Sequence, residues 1–324
     1  MNNVFVQLPI SHVCSIKETL DRRVWKVQLA DSFPSRSRFS VLKQYSSSHT
    51  LAYQTEKTVF STFSSQIDQN PPVPDLVRYS DSEHLLLMSW CGDQTLEDLV
   101  RNQQSVAKSN RIVSKILSAY SRLELAFSSI NVAATVNNTL FDFERTSQTG
   151  FRIFNLLLTK RVQPSVLAGR WEELMKVLQQ APMTFGPLDY QAKNIVLNNQ
   201  LKPYFIDFES VGWDWPARRL VQYLTSLGAG HSDGQFFSLL NRKVLAKSTD
   251  KNTLRQFDGH IILFYLIMID RIVRAVARPE SGFAQILMNE WGNLKNRYYQ
   301  ALNQLRTIVL SDWAVTRDLR RWLS

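Results

Sequence analysis

Residues 185–207 read FGPLDYQAKNIVLNNQLKPYFID, and three oxygen donors stand among apolar, strand-like residues: Asp189, Asn194 and Asp207. Carboxylate and carboxamide oxygens suit a hard divalent cation, which also takes oxygens from water and from a phosphorylated ligand. A carboxylate beside a hydroxyl can orient it and take its proton. Taken singly, each group has a plainer reading. Asp-x-x-x-x-Asn makes a turn and a cap, and Ile206-Asp207-Phe208-Glu209-Ser210 is a strand running into a helix cap. Asn194 and Asp207 with a hairpin between them form a more specific pattern. Upstream, VLKQY sets Lys43 between apolar residues, where an unpaired ammonium is costly. Glu56 follows thirteen residues later.

These residues need elements to position them. RVWKVQLA (23–30) and RFSVLKQY (38–45) mix β-branched and aromatic residues around a Pro- and Ser-containing loop, which predicts an antiparallel pair. In TLAYQTEKTVFSTF, residues Leu51, Tyr53, Val59, Phe60 and Phe63 recur at helical spacing and carry Glu56. NPPVP ends that helix, and DLVRYSD and HLLLMSW read as two more strands. After CGDQ the texture changes. Thr95 with Asp98 three residues on is an N-cap signature, and helical pattern is expected over 108–132, 150–160, 168–180, 216–228, 233–247, 252–277, 284–308 and 312–323. NIVL and PYFID, around NNQLK, are the exception and read as a hairpin. The expected organisation is a β-rich lobe over residues 1–92 and a helical lobe over 93–324.

The bulk numbers agree. At 324 residues the chain suits one large domain or two lobes, since single cores rarely exceed ~250–300 residues. It is 44% hydrophobic and 20% charged, a globular composition. A net charge of +10 admits nucleic acid, an acidic surface or a phosphorylated ligand. No basic-aromatic stripe supports nucleic acid, and the arginines of DRIVRAVAR and TRDLRRWLS alternate with apolar residues as on amphipathic helices. Cys14 and Cys91 suggest neither a disulfide framework nor a zinc site. IILFYLIMI (261–269) is too short for a membrane span, which needs ~20 residues. It reads as a buried helix. The N-terminal residues lack signal-peptide character, and a cytoplasmic protein is expected.

The stretch PLDYQAKNIVLNNQLKPYFIDFESVGWDWPA resembles the catalytic and metal-binding segment of the aminoglycoside phosphotransferase/choline kinase group. That pattern is His-x-Asp-x-x-x-x-Asn, a strand, a turn, Ile-Asp-Phe, then Gly-x-x-x-Pro-Ala. Asp189, Asn194, Ile206-Asp207-Phe208 and Gly212 through Pro216-Ala217 fall in order at matching spacing. Lys43, Glu56 and the connector after LLLMSW also resemble the family, over roughly residues 20–225. The resemblance implies an α+β, bilobal protein-kinase-like fold and an ATP- and Mg²⁺-dependent small-molecule kinase. It implies that Asp189 faces the acceptor hydroxyl and that Asn194 and Asp207 hold Mg²⁺. Lys43 would contact the α- and β-phosphates, held extended by Glu56, and the backbone at Ser89, Trp90 and Cys91 would meet the adenine edge. Lys193, in the same loop, has two readings of its own: a contact to the γ-phosphate as charge develops there, or an ordinary solvated loop lysine.

Three departures stand out. No glycine precedes Gly92, so the turn near KETLDRR lacks the family's small residues, leaving backbone N–H groups, Arg22 or Arg23 to reach phosphates. Pro187 stands where the family has a His that braces the loop, and proline would supply rigidity covalently. Arg219 stands where the family has an Asp anchoring the same loop. These changes keep a second reading open, a nucleotide-binding pseudokinase. Glu209 has two readings, contact with metal-bound water or a cap on the following helix, and the cap is the plainer one. Trp213, Asp214, Trp215 and Asp233 are candidates for an acceptor wall, against a plainer reading as core and caps. The basic balance disfavours a polycation and points to a neutral or anionic hydroxylated acceptor, with no nucleic-acid partner.

Overall fold

The computed structural model describes residues 10–30, 39–65, 70–101, 106–130, 139–140, 142–189, 191–222, 250–308 and 311–324. Strands β1 (Ile10–Glu18), β2 (Arg22–Leu29), β3 (Phe39–Tyr45), β4 (Leu76–Ser80) and β5 (Leu85–Ser89) form one antiparallel sheet in the order β1-β2-β3-β5-β4. Period-2 alternation sorts its faces. Trp25, Val27, Leu29, Leu42, Leu85 and Leu87 pack together on one side. Tyr45, Leu86 and Met88 join a second cluster with helix α1 (Thr50–Ser65). That helix buries Tyr53, Glu56, Val59, Phe60 and Phe63 as the spacing predicts, while Leu51 faces outward at 52% exposed.

The α1 cluster runs on into the rest of the chain. The Phe60 ring lies 5.4 Å from Phe208, and Phe63 lies 5.0 Å from Phe127. Beyond the connector come β6 (Gln94–Thr95), α2 (Leu96–Arg101), α3 (Val106–Ser128), β7 (Thr139–Leu140), α4 (Phe143–Leu158) and α5 (Pro164–Gln179). They are followed by β8 (Thr184–Pro187), β9 (Ile195–Leu197), β10 (Pro203–Phe205) and β11 (Val211–Asp214). Residues 216–222 are helical. The expected helix at 233–247 lies outside the described residues. The chain closes with α6 (Lys251–Ala277), α7 (Gly282–Trp291), α8 (Leu294–Arg306) and α9 (Ala314–Leu323).

Thr95 and Asp98 cap α2 reciprocally: Asp98 N donates to Thr95 Oγ1 at 3.1 Å and Thr95 N to Asp98 Oδ2 at 3.0 Å. IILFYLIMI forms the buried middle of α6, packed with Phe154, Leu174 and Trp322 in a second core. No helix among the described residues is long and apolar enough to cross a membrane.

Two expectations are corrected. Residues 284–308 are not one helix. Gly292, at φ 69°, ends α7, and Asn293 caps α8 by accepting from Asn296 N. The helical part also holds more than a hairpin. NIVL and PYFID do pair, as β9 and β10, and β6 joins them. Beside them stands a second small sheet, ordered β7-β11-β8. FGP and VGWD are four-residue strands or shorter, too brief for alternation to register, and Pro187 argues against a strand on sequence alone.

Candidate active site

The site begins with Glu56. One turn of α1 buries its carboxylate at 1% exposed, where an unpaired charge would be costly. Three donors answer it. Lys43 Nζ lies 2.8 Å from Glu56 Oε2, Phe208 N donates to Oε1 at 3.1 Å, and the Tyr45 hydroxyl donates to Oε2. Burial, then the Glu56 charge, pushes the Tyr45 phenol well above its usual range, so it stays a donor. The Lys43–Glu56 pairing expected from the sequence is therefore present, and Glu56 also pins the backbone beside Asp207.

Lys43 is shared. Its Nζ lies 2.8 Å from Asp207 Oδ1 and 2.8 Å from Glu209 Oε1. A second cation converges from the sheet: Arg22 Nη1 lies 2.9 Å from Asp207 Oδ1 and also meets Glu209. Burial alone would raise the Asp207 pKa, but Lys43 and Arg22 outweigh it and hold the carboxyl at about 2. Asp207 takes a left-handed backbone conformation, φ 70°, one that Asp tolerates better than most residues. Glu209 corrects the sequence reading. It caps no helix, because the chain continues into β11, and it belongs to this charge cluster.

The opposite wall is the segment after β8. Asn194, 3% exposed, donates through Nδ2 to Asp189 O at 3.3 Å and to Asp189 Oδ2 at 3.1 Å. Gln191 Nε2 donates to Asp189 Oδ1 at 2.8 Å. With the amide nitrogen turned to Asp189, the Asn194 side-chain oxygen is the atom left for a cation. Ile206 N donates to Asn194 O at 3.0 Å, so the β9–β10 hairpin sets Asn194 beside the residue before Asp207, and both line one cavity.

A cavity of about 410 Å³ joins these groups. Its lining includes Lys43, Glu56, Ser89, Trp90, Cys91, Lys193, Asn194 and Asp207, together with Lys17 and Arg22, which carried little or no weight in the sequence. Asp189 stands beside it, bonded to Asn194. Two of the three connector residues have committed N–H groups: Ser89 N donates to Asp75 O at 2.9 Å and Trp90 N to Phe39 O at 3.3 Å. Burial pushes the Cys91 thiol up to about 12, so it stays protonated. Gly92, at φ 150°, touches β9 so closely that a Cβ would lie 2.8 Å from the Leu197 carbonyl carbon.

The bracing of the Asp189 loop differs from both sequence expectations. Pro187 is buried in β8, opposite Val211. Arg219, 0% exposed, spans the sheet beneath it. Its Nη1 donates to both oxygens of Glu124 at 2.9 Å and to Thr184 Oγ1 at 2.8 Å; Nη2 donates to Thr184 O and, at 3.3 Å, to Gly212 O. A Cβ on Gly186 would meet Nη1 at 2.6 Å, so the strand must be bare there. An arginine fork thus ties β8, β11 and α3 together where the family pattern has a His and an Asp.

The proposed acceptor wall dissolves. Trp215 is 3% exposed and its Nε1 donates to Ala181 O at 3.0 Å. Asp214, fully buried, accepts from Trp215 N at 2.7 Å and pairs with Arg218. Trp213 packs on Phe185, ring centres 5.9 Å apart. These residues are core and caps. Asp233 lies outside the described residues.

Carboxylate oxygens of Glu56, Asp207 and Glu209 lie within 4.8 Å of one another, a donor set that fits a hard divalent cation. Glu56 is fully engaged, so Asp207 and Glu209, with the Asn194 oxygen, are the groups able to hold one.

No protein-family model and no curated protein sequence matches the chain. Solved structures do. The chain is similar to the GDP complex of an aminoglycoside 2'-phosphotransferase-IIIa mutant (TM-score 0.55, 12% identity, 91% of this chain and 95% of that one). It is also similar to ADP-bound APH(2'')-Ib (TM-score 0.52, 13% identity, 92% and 96%) and to a streptomycin–ATP complex of APH(2'')-IIa (TM-score 0.51, 12% identity, 91% and 95%). The chain therefore has the α+β, protein-kinase-like fold of the aminoglycoside phosphotransferases. The five-stranded sheet followed by the mostly helical part is that architecture.

Proposed function

We propose that this protein is an ATP-dependent kinase that phosphorylates a hydroxyl of a small metabolite. The observation that carries the reading is the convergence of Lys43, Glu56, Asn194 and Asp207 on one cavity, with Asp189 bonded to Asn194 beside it, in a fold shared with nucleotide-bound phosphotransferases. Phosphoryl transfer asks a protein mainly to position its reactants and neutralise phosphate charge. Lys43, held straight by Glu56, would contact phosphate oxygens from the roof. Lys193 would approach the terminal phosphate from the loop. The base edge would be met by Ser89 O and the Cys91 backbone, since the Ser89 and Trp90 N–H groups are spent in the sheet. Asp189, steadied by Gln191 and Asn194, would orient the acceptor hydroxyl and take its proton. Asp207, Asn194 and Glu209 would hold Mg²⁺, which when bound would offset the charge of the phosphates.

The acceptor is expected to be a neutral or anionic hydroxylated compound. The cavity sets Lys17, Arg22, Lys43 and Lys193 against Glu56, Asp93, Asp98 and Asp207, with no excess of acid, and the candidate acidic wall at Asp214 is buried and paired. This setting suits a sugar or an anionic metabolite better than a polyamine.

One observation favours the second reading, nucleotide binding without transfer: Arg22 lies on Asp207. ATP turnover over a panel of hydroxylated acceptors separates the two, with Asp189→Asn as control. A kinase shows acceptor-dependent ADP release that falls ~10²–10⁴-fold in the variant. Turnover undiminished in Asp189→Asn would sink the assignment of Asp189, and nucleotide binding with no product from any acceptor would favour the pseudokinase.

A further inference from the structure

We propose that Arg22 is a displaceable phosphate ligand that holds the cation seat until a nucleotide arrives. On this account the chain binds a nucleoside triphosphate without any divalent cation. It admits the cation only after the triphosphate has drawn the guanidinium away. The inference rests on the nucleotide reading of the cavity.

The turn between β1 and β2 is the first support. A kinase-like roof can cradle phosphates with free backbone N–H groups, but here two of the turn's N–H groups are spent within it. Thr19 N donates to Arg22 O at 2.9 Å, Arg22 N donates to Thr19 Oγ1 at 3.2 Å, and no glycine loosens the strand ends. Side chains beside the turn add positive charge to what its backbone can offer. Arg22 opens β2 beside this turn and points into the cavity, with Lys17 arriving from β1. Burial, then the charges of Arg22 and Lys193, lowers the Lys17 pKa, which marks a cation-dense space that favours a polyanion. A guanidinium is permanently charged and forks onto phosphate oxygens, so it suits this task better than an ammonium.

The second support is what Arg22 touches. Its Nη1 bonds Asp207 Oδ1, the oxygen Lys43 also uses, and it meets Glu209. These carboxylates are the donors a divalent cation would need. Mg²⁺ requires oxygens at ~2.0–2.1 Å in a near-ideal octahedron, and a permanently charged guanidinium seated on Asp207 and Glu209 crowds and repels a dication there. Arg22 and the cation are therefore alternatives at one seat. A triphosphate offers Arg22 replacement acceptors, so nucleotide frees the seat and binding of nucleotide and of cation is positively coupled.

The experiment titrates a fluorescent ATP analogue into the full chain in EDTA and in Mg²⁺, for wild type, Arg22→Ala and Arg22→Lys. Electron paramagnetic resonance follows Mn²⁺ uptake by each protein with and without the non-fluorescent nucleotide. Wild type is expected to bind the analogue measurably in EDTA, and more tightly in Mg²⁺ by the same factor by which nucleotide raises its affinity for the cation. Arg22→Ala should lose about tenfold or more in EDTA and much less in Mg²⁺, the loss expected for one charge-assisted phosphate contact. Arg22→Lys should fall between them. Mn²⁺ should bind Arg22→Ala alone, but wild type only with nucleotide. The proposal is overturned if wild type needs Mg²⁺ to bind nucleotide, if Arg22→Ala is unchanged in EDTA, or if wild type takes up Mn²⁺ alone as readily as the variant. Absence of nucleotide binding by all three proteins in both buffers overturns the nucleotide reading itself, and this inference with it.

Discussion

Arg219 forks onto Glu124: its Nη1 lies 2.9 Å from both carboxylate oxygens, with the arginine wholly buried and the glutamate 15% exposed. Removing one partner leaves the other charge uncompensated, which in buried pairs costs ~3–5 kcal/mol. Arg219→Ala is expected to lower stability by that order in chemical denaturation. Arg219→Lys should recover only part of it, because an ammonium cannot serve Glu124, Thr184 and Gly212 at once. A stability within about 0.5 kcal/mol of wild type in Arg219→Ala would show that the fork braces nothing.

The Lys43–Glu56 pair predicts a division between folding and binding. In Lys43→Met, Glu56 keeps Tyr45 and Phe208 N as donors, so the fold should persist. Nucleotide affinity should drop about tenfold or more, measured by calorimetry, as befits a charged phosphate contact. Glu56→Gln should weaken nucleotide binding less. Equal affinity in Lys43→Met and wild type would remove Lys43 from the phosphate site.

His260 predicts a pH dependence. It is 2% exposed on α6, neither ring nitrogen has a hydrogen-bond partner among the described residues, and its ring lies 5.8 Å from Trp215. Burial, then the Arg218 charge, lowers its pKa to about 3. The unfolded chain takes up this proton near pH 6.5 and the folded chain only near 3. The unfolded state thus binds more protons across that window, and stability falls as pH drops through it, by about 1.4 kcal/mol per unit from this group. Asp207, held near 2, adds a loss of the same sign at lower pH. His260→Leu should flatten the slope between pH 6 and 4 in thermal melts; an unchanged slope would mean that His260 does not titrate this way.

Gly92 predicts a steric failure. Its positive φ and its approach to the Leu197 backbone leave no room for a methyl group. Gly92→Ala is expected to cost more than about 1–3 kcal/mol, since rigid backbone opposes it. It should also weaken nucleotide binding by moving Ser89 and Cys91. Unchanged melting and affinity would show that the connector yields freely.

Much of the site was legible because its spacing is local or repeats a family pattern. Asp189, Asn194 and Asp207 lie within nineteen residues, bound by a hairpin whose turn residues announce it. Lys43 and Glu56 sit on a strand and a helix whose periodicities are plain. Glu209 was misjudged because an acid after a strand resembles a cap. Its true partners, Arg22 and Lys43, are 187 and 166 residues away, and no local pattern carries that information.

The sequence by itself determined the alternation of the first sheet, the inner face of α1, the burial of IILFYLIMI and the order of the oxygen donors. Each of these depends on residues a few positions apart, where covalent geometry sets the period. Tertiary structure alone decided that Arg22 reaches Asp207, that Arg219 braces β8, β11 and α3 by reaching Glu124, and that β7, β8 and β11 form a sheet. Those outcomes depend on which distant charges and strand edges share a desolvated space, where a buried group must find a partner from whatever segment packing brings there.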